Sequence, residues 1–234
     1  MRLDKLLADM NVGTRSEIKK VIRKGQVTVN GEVVKDASIS VTGEEEIIYA
    51  GEKVGYEEYE YYMMNKPAGV ISASDDKRQE TVLDLMDDRR RKDLFPVGRL
   101  DKDTVGLLLI TNDGQLAHEL LSPKKHVDKT YGVKVTGVLS EDDVKKFAAG
   151  FKVDDSFTAL PSKLEIISAG KTSEALITIQ EGKFHQIKRM FLAIGKEVVY
   201  LKRLTMGPIS LDEKLEEGEY RRLTEEEIEK LKNR

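Results

Sequence analysis

Apolar residues in the region 1–43 recur first at the spacing of helices and then at that of strands. The first helical stripe consists of Leu3, Leu6, Leu7 and Met10. A second helix is predicted to begin at Thr14, because Thr14 followed by Glu17 is a capping-box pattern. It is predicted to end before Gly25, a residue type common at helix C-termini. The apolar stripe of this second helix leaves its basic residues facing outward.

Strand patterns follow the two predicted helices. The pair Asn30–Gly31 lies between alternating apolar residues, which predicts a β-hairpin over residues 27–34. Ile39 and Val41 indicate one more strand. Residues 1–43 are therefore predicted to form a compact module of two helices and a small sheet.

The next segment, residues 43–60, is acidic, contains glycines and alternates more weakly. It is interpreted as the end of the first module plus a linker. A chain of 234 residues is long enough for one large domain or two smaller ones. We therefore expect a small domain over residues 1–58 and a larger domain over residues 59–234.

The region after residue 60 mixes short strands with helices. Strands are predicted at residues 62–65, 95–100, 106–111, 131–135, 164–167 and 175–179. Helices are predicted at residues 81–86, 115–121, 140–149 and 185–194, with a last helix capped by Thr224 and Glu227. Because the helices interrupt the strands irregularly, the pattern favours an α+β fold over a doubly wound α/β sheet.

Composition limits the chemistry and the compartment. The chain has no Cys and only 3 His, which excludes disulfides and thiolate metal sites and leaves no apparent metal site. The N-terminus lacks the apolar region of a secretory signal. The longest apolar run, residues 105–110, is far too short to span a bilayer. We expect a cytoplasmic protein that binds neither metal nor membrane.

Charge is distributed unevenly along the chain. The formal net charge is −3, from 39 basic and 42 acidic residues, and this average argues against binding to nucleic acid. Basic residues nevertheless concentrate in 1–25 and 183–203, whereas acidic residues concentrate in 44–60 and 212–229. Such asymmetry is expected of a protein that binds a polyanion through two faces. Ordinary solvated faces are the other explanation.

The first module resembles a known RNA-binding fold. The spacing of Asp4, Leu7, the pair Thr14–Arg15 and the Gly-x-Val-x-Val-Asn-Gly run at 25–31 is similar to that of the S4 family. That family usually has Ser-Arg, and the threonine here preserves the capping oxygen. The resemblance implies docking on folded RNA, read largely by shape, with cations that neutralise phosphates. The candidate RNA-binding residues are Arg2, Lys5, Arg15, Lys19, Lys20 and Arg23.

A second motif, Gly-Arg-Leu-Asp-Lys-Asp-Thr-Val-Gly-Leu-Leu-Leu at residues 98–109, places Asp101 between two predicted strands. Arg99 and Lys102 flank this aspartate, and neighbouring cations keep a carboxylate ionised. An ionised and positioned carboxylate can act as a nucleophile at a sugar carbon or as a base. Aspartates in loops are also common turn formers, so the motif alone leaves both roles open.

The same motif closely resembles the catalytic signature of the pseudouridine synthases. The resemblance extends along nearly the whole chain, including the segment 218–224. The most similar subfamily acts on small-subunit (16S) ribosomal RNA. The resemblance implies a catalytic domain built on a mixed, largely antiparallel sheet flanked by helices.

The resemblance also implies roles for single residues. Asp101 corresponds to the catalytic aspartate. Arg99 corresponds to an arginine that can occupy the space left by a flipped base, and Tyr131 to a tyrosine that stacks on the target uracil. Lys188 corresponds to the basic residue that pairs with the catalytic carboxylate.

Three further residues complete the expected site. Lys66 and Pro67 belong to a Lys-Pro-x-Gly turn that supports the site in the family. Arg189 follows Lys188 and lies off the apolar stripe of its predicted helix, so we expect it at the edge of the cleft as a substrate-binding residue. An ordinary solvated helix face is the alternative for both basic residues. His185 is assigned no catalytic role.

The implied reaction breaks the N1–C1′ bond of uridine and joins C5 of the uracil to C1′. Because nothing is oxidised and no group is transferred in, we expect no cofactor. The uracil must leave its stack, at a cost of a few kcal/mol. Direct attack of Asp101 at C1′ and removal of a sugar proton are both open. The expected partner is ribosomal RNA or its ribonucleoprotein particle, bound by a monomer.

Other functions compete with this hypothesis. A catalytically silent ribosome-assembly factor would share the RNA-binding module, and a synthase acting on 23S ribosomal RNA would share the motifs. An S4-bearing methyltransferase is disfavoured, because the chain has no Gly-x-Gly-x-x-Gly turn for its cofactor.

Overall fold

The computed structural model describes residues 1–87 and 89–233. The helices are α1 (Leu3–Asp9), α2 (Arg15–Arg23), α3 (Gly114–Leu121), α4 (Glu141–Ala149), α5 (Gln186–Leu192) and α6 (Glu225–Lys232). The strands are β1 (Val27–Val29), β2 (Glu32–Val34), β3 (Ile47–Tyr49), β4 (Glu52–Lys53), β5 (Tyr61–Lys66), β6 (Phe95–Pro96), β7 (Val105–Thr111), β8 (Lys129–Thr136), β9 (Phe151–Asp154), β10 (Phe157–Ala159), β11 (Lys163–Ser168), β12 (Thr172–Ile179), β13 (Val198–Met206), β14 (Ile209–Ser210) and β15 (Tyr220–Arg222). Across these described residues, no helix combines the length and the apolar character needed to cross a membrane.

The chain divides into two compact units. The first unit combines Met1–Glu60 with Met86–Leu94, and the second combines Tyr61–Leu85 with Phe95–Arg234. Residues 86–94 thus pack with the first unit, although the sequence analysis assigns them to the second domain. Arg91 explains this placement, because its buried guanidinium donates to the carbonyl of Glu57 at 2.7 Å. The predicted boundary between residues 58 and 59 stays a prediction.

In the first unit, α1 and α2 pack on a four-stranded sheet of order β2-β1-β3-β4. The capping box that predicts α2 is present, since the Thr14 amide donates to the Glu17 carboxylate at 2.8 Å and the Glu17 amide donates to the Thr14 hydroxyl at 3.3 Å. The predicted hairpin forms from β1 and β2. Asn30 and Gly31 both have positive φ, 51° and 82°, as a tight turn between twisted strands requires.

One prediction for the first unit is confirmed and one is wrong. The segment 43–60 contains the end of the first module, because β3 and β4 complete the sheet and β3 pairs with β1. Ile39 and Val41 do not form a strand of that sheet. The Ile39 carbonyl instead accepts from the Leu3 amide, and the Val41 amide donates to the Met1 carbonyl, so this segment binds the start of the chain.

The second unit is built on a nine-stranded sheet, which confirms the α+β class and the mixed, largely antiparallel arrangement. The strand order is β11-β12-β8-β13-β7-β5-β15, with β14 paired to β13 and β6 paired to β7. β7 and β13 run parallel, and the other described pairs of this sheet run antiparallel. Apolar residues of β5 and β7 pack against α3 and α6 in one buried cluster.

The predicted helix at residues 81–86 is wrong. Thr81 forms an isolated bridge with Ile71, and the Val82 amide donates to the Ile71 carbonyl at 3.0 Å. The Asp84 carboxylate accepts from the Thr81 amide and hydroxyl, so a capped turn forms without a helix behind it. The extended stretch predicted at 95–100 is reduced to the two residues of β6. The short strands β9, β10, β14 and β15 and the long strand β13 were not predicted.

The central strand β7 is buried along its whole length and begins just after the Asp101 motif. Gly106 in this strand has φ of 100°, and a Cβ atom there would lie 2.3 Å from the Arg203 carbonyl oxygen of β13. Only glycine allows this close approach of two parallel strands. The glycine of the motif therefore fixes the start of β7, and with it the loop that carries Asp101.

Candidate active site

A buried lysine holds the loop that carries Asp101. Lys66 ends β5 with no exposed surface, and its ammonium donates to the backbone carbonyls of Thr104 at 2.9 Å, Pro67 at 3.0 Å and Asp101 at 3.2 Å. Burial lowers the pKa of Lys66 to about 8, against the opposing attraction of Asp103 and Asp101. Lys66 thus joins the Asp101 loop to Pro67 through hydrogen bonds to backbone carbonyls, at the place where the sequence analysis expects structural support.

Two more contacts fix the same loop. The Gly69 amide donates to the Lys102 carbonyl at 2.8 Å. The Ser72 hydroxyl donates to the Leu100 carbonyl at 3.0 Å and accepts from the Leu100 amide at 3.0 Å. Loop residues 100–104 are therefore bound mainly through their backbone atoms.

Lys188 joins two carboxylates. Its ammonium lies 3.0 Å from an Asp101 oxygen and 2.5 Å from an Asp103 oxygen. Burial alone would lower the pKa of Lys188, but the bonds to Asp103 and Asp101 outweigh this and raise it. The bond from Lys188 in turn lowers the pKa of Asp103. Lys188 is therefore held as a cation in contact with both carboxylates.

His185 stands on the other side of Asp101. Its Nε2 atom lies 3.6 Å from the second Asp101 oxygen. The backbone at His185 is left-handed, with φ of 49°, directly before α5. His185 therefore belongs to the surroundings of the carboxylate, although the sequence analysis gives it no role.

Tyr131 and Arg99 line the same cleft as Asp101. Tyr131 in β8 is 7% exposed and lies opposite Arg203 in β13, so both side chains face one side of the sheet. Arg99 is exposed at the edge. A neighbouring hollow of about 540 Å³ shares Arg99 and Tyr131 with the cleft, and this volume is within the usual range for small-ligand sites.

Arg189 is not brought to Asp101. Its guanidinium binds the Asp154 carboxylate, with Nε at 3.0 Å, and the Ser156 hydroxyl. It also lies 4.4 Å from the centroid of the Phe157 ring. Consecutive helical residues point about 100° apart, so only one of Lys188 and Arg189 can face the carboxylate. In this structure Arg189 attaches the β9–β10 hairpin to α5, and its expected contact with substrate stays a prediction.

The cations of the first unit surround a buried carboxylate. Asp4 in α1 is almost fully buried, and its two oxygens each accept from the Arg2 guanidinium at 3.0 Å. The Lys19 ammonium of α2 lies 3.8 Å away. The bond from Arg2 lowers the pKa of Asp4 in spite of its burial. Asp4 thereby fixes the directions of two exposed cations.

The other predicted RNA-binding residues are exposed as well. Lys5 pairs with Asp9 at 2.5 Å. Within residues 1–87 and 89–233, the side chains of Arg15, Lys20 and Arg23 form no ion pair. Unpaired surface cations on short, well-packed helices suit contacts with phosphate groups.

Sequence reasoning missed several residues around Asp101. Asp103 was assigned no role, yet it shares Lys188 with Asp101, and its place within the motif was the available signal. Ser72 and Arg203 lie far from the motif along the chain and carried no signal. Among the described residues, no group of His, Asp and Glu side chains is arranged to hold a metal ion.

The geometry provides a carboxylate in contact with a lysine and close to a histidine, in a cleft that a buried tyrosine and an exposed arginine also line. Such a carboxylate can attack a sugar carbon or remove a sugar proton. The aromatic ring can stack on a base that has left its helix. The site thus has the groups needed to act on a flipped nucleotide.

Comparison with known families matches both parts of the chain. Residues 60–193 match the RNA pseudouridylate synthase family, and residues 1–47 match the S4 domain family. The first match covers the Asp101 loop, Tyr131, Lys188 and their supports.

Full-length relatives agree with these matches. The chain is 50% identical to a protein of Bacillus subtilis described as an uncharacterized RNA pseudouridine synthase, over 97% of both chains. It is 44% identical to ribosomal small subunit pseudouridine synthase A of Haemophilus influenzae, over 99% of both chains. A crystal structure of a pseudouridylate synthase with 42% identity superposes with a TM-score of 0.70 over 99% of both chains.

Proposed function

This chain belongs to the RNA pseudouridylate synthase family, and we propose that it isomerises a uridine of small-subunit (16S) ribosomal RNA with Asp101 as its catalytic carboxylate. The observation that carries the assignment of Asp101 is its contact with Lys188 at 3.0 Å, on a loop held by Lys66. The choice of small-subunit RNA rests on relatives named for that substrate, which align with this chain from end to end.

In the proposed reaction the target uridine leaves its stack and enters the cleft. Tyr131 stacks on the uracil, and Arg99 fills the space that the base leaves. Together these contacts offset the cost of flipping, a few kcal/mol. Lys188 pairs with Asp101 and orients its carboxylate.

Asp101 then acts at the sugar, either by attacking C1′ or by removing a sugar proton. The N1–C1′ bond breaks, and N1 of the uracil takes the bonding electrons. The uracil turns and C5 bonds to C1′; at this step the Asp101–C1′ bond breaks on the first route, and the sugar regains its proton from Asp101 on the second. C5 then loses its hydrogen to solvent, and N1 gains a proton. Atoms and electrons balance without an oxidant or a donor group.

The first unit contributes RNA binding. We assign phosphate contacts to its exposed cations, namely Arg2, Lys5, Arg15, Lys19, Lys20 and Arg23. Such contacts fix position and carry no sequence information directly. The protein is proposed to act as a monomer in the cytoplasm, away from membranes.

Tritium release from ribosomal RNA labelled at uracil C5 tests this function, because C5 loses its hydrogen only when it becomes the new attachment point. The native protein is expected to release tritium from small-subunit RNA or its particle. Asp101→Asn is expected to reduce release by about 10⁴-fold or more while still binding RNA.

Two outcomes would overturn parts of the proposal. Release from large-subunit RNA alone would keep Asp101 and change the substrate to 23S RNA. Tight binding without release from either RNA or from its particle would favour the catalytically silent assembly factor.

A further inference from the structure

The rim of the Asp101 cleft carries an exposed phenylalanine. Phe184 is 75% exposed, more than any other large apolar side chain recorded as exposed in the described residues. Its ring stacks on His185, with centroids 3.8 Å apart and planes 17° from parallel. We call this pair the Phe184–His185 stack. Because His185 covers one face of the phenyl ring, the exposed part of Phe184 is available to a third flat group.

The stack is joined directly to the proposed catalytic carboxylate. His185 stacks on the phenyl ring and also has its Nε2 atom 3.6 Å from the Asp101 carboxylate. A flat group on Phe184 would therefore lie beside the nucleotide whose sugar meets Asp101. Lys183 precedes the stack and lines the same cleft, which adds a cation where a nucleotide chain would pass.

The backbone under the stack is fixed. The buried Gln186 side chain accepts from the Lys183 amide at 2.9 Å and donates to the Glu181 carboxylate at 2.8 Å. Arg189 donates to the Phe184 carbonyl at 3.4 Å while it binds Asp154. His185 is held in a left-handed conformation that non-glycine residues rarely adopt. The Phe184 ring is thus exposed to solvent, while hydrogen bonds to the Lys183 amide and to the Phe184 carbonyl hold the backbone that carries it.

Proteins bind single-stranded nucleic acid by stacking its bases on exposed aromatic rings that lie beside cationic side chains. We propose that the Phe184–His185 stack binds an unpaired nucleobase of the RNA next to the target uridine. The inference rests on the proposed function and adds a second base-binding position to it. Every base has a flat face, so the stack selects for an unpaired neighbour rather than for one base.

The chain has no tryptophan, so Phe184→Trp places a single tryptophan in the stack, and its fluorescence can be excited separately from that of the tyrosines. Stacking on a base is expected to quench its fluorescence when small-subunit ribosomal RNA transcript is added, with a midpoint that matches binding of the same RNA measured by filter retention. Leu192→Trp is the matched control. Leu192 lies in the adjoining helix α5, is 67% exposed and is not part of the Phe184–His185 stack.

Quenching of Phe184→Trp without quenching of Leu192→Trp would support the stack. Equal responses of both variants, or no response at 184 while filter retention shows bound RNA, would overturn it. Tryptophan quenching and filter retention both report binding and not turnover, so the test holds even if the transcript is not isomerised.

Kinetics provide the second test. Phe184→Ala is expected to raise KM for the RNA about tenfold, since one base–ring stack is lost, with kcat changed less than about twofold. Phe184→Tyr is expected to restore the native KM. Tritium release by the native protein with an unchanged KM in Phe184→Ala would overturn the inference alone. No release by the native protein would overturn the proposed function, leaving the fluorescence result to decide on the stack.

Discussion

The two units arrange opposite charges in opposite ways. In the first unit a buried carboxylate, Asp4, directs the exposed cations Arg2 and Lys19. In the second unit the fully buried cation Lys66 holds the backbone carbonyl of Asp101, and the partly buried cation Lys188 pairs with its partly exposed carboxylate. In each unit a buried charge, Asp4 or Lys66, fixes the position of a more exposed charged residue.

This difference in the arrangement of charges indicates which group each unit presents to its ligand. A buried charge is costly unless it is paired and hydrogen-bonded, so its presence under a surface group indicates that the direction of that group matters. The first unit presents cations suited to phosphates, and the second presents a carboxylate suited to a sugar. Changes to the buried partners are therefore expected to reduce binding in one unit and turnover in the other.

The largest effect among these buried partners is expected at Lys188. Lys188→Met removes the cation that pairs with both Asp101 and Asp103. The two carboxylates would then repel each other without this counter-ion. We expect tritium release to fall by about 10³-fold in kcat, while filter retention shows unchanged RNA binding. Lys145→Met is the control, because Lys145 is an exposed lysine of the same unit paired only with Asp142. An equal loss in both variants would contradict the role of Lys188.

Lys66 is expected to produce a smaller loss and a pH dependence. Lys66→Met leaves the carbonyls of the Asp101 loop without their donor, and a small misplacement of the carboxylate costs about 10²-fold in kcat. In the native protein the ammonium becomes a neutral amine as the pH rises through about 8 and loses one N–H donor. The kcat for tritium release should therefore fall above about pH 8.

The free energy of unfolding, in contrast to kcat, should rise with pH above about pH 8. Because the folded pKa of Lys66 lies below the ordinary value of 10.5, the unfolded chain binds more protons between pH 8 and 10.5. Through this group, the free energy of unfolding rises with pH there. The comparison of native protein with Lys66→Met in urea titrations at several pH values isolates this contribution.

For catalysis, a kcat that stays level from pH 7 to 10 would contradict the role of Lys66.

The smallest of the three effects is expected at Asp4. Asp4→Asn keeps the shape of the side chain but removes the charge that orients Arg2 and Lys19. We expect KM for RNA to rise roughly fivefold, equivalent to about 1 kcal/mol, with kcat unchanged. Asp142→Asn, which removes an exposed carboxylate of the second unit, should leave both constants unchanged. A fall in kcat for Asp4→Asn would remove the distinction between the two units.

Local signals predicted the elements that depend on local interactions. The capping box at Thr14 predicted α2, and the helix predicted at residues 140–149 forms as α4, where the Ser140 amide donates to the Asp143 carboxylate at 2.9 Å. Asn30–Gly31 gave the hairpin, since its turn needs two residues with positive φ. The motif around Asp101 also lies in one short stretch, and its resemblance to a family indicated its catalytic role.

Elements that depend on distant partners were not predictable in the same way. The turn at Thr81 has the cap of a helix, but Ile71 binds the Val82 amide. β3 and β4 lie in an acidic stretch, and β1 rather than their own pattern places them in a sheet. The separation of Lys188 from Arg189 follows from the position of Asp154 on a hairpin that the pattern did not indicate.

The support of the Asp101 loop through backbone atoms has a practical consequence. Lys66 and Gly69 bind the carbonyl of Lys102, at 3.5 Å and 2.8 Å, while the Lys102 side chain reaches only to exposed Gln79 at 3.1 Å. The side chain at 102 can therefore be replaced without removing the supports. Because the chain has no cysteine, Lys102→Cys would create a single thiol one residue from Asp101. That thiol is a ready attachment point for a spin label or a photocrosslinker that marks the nucleotides nearest the carboxylate.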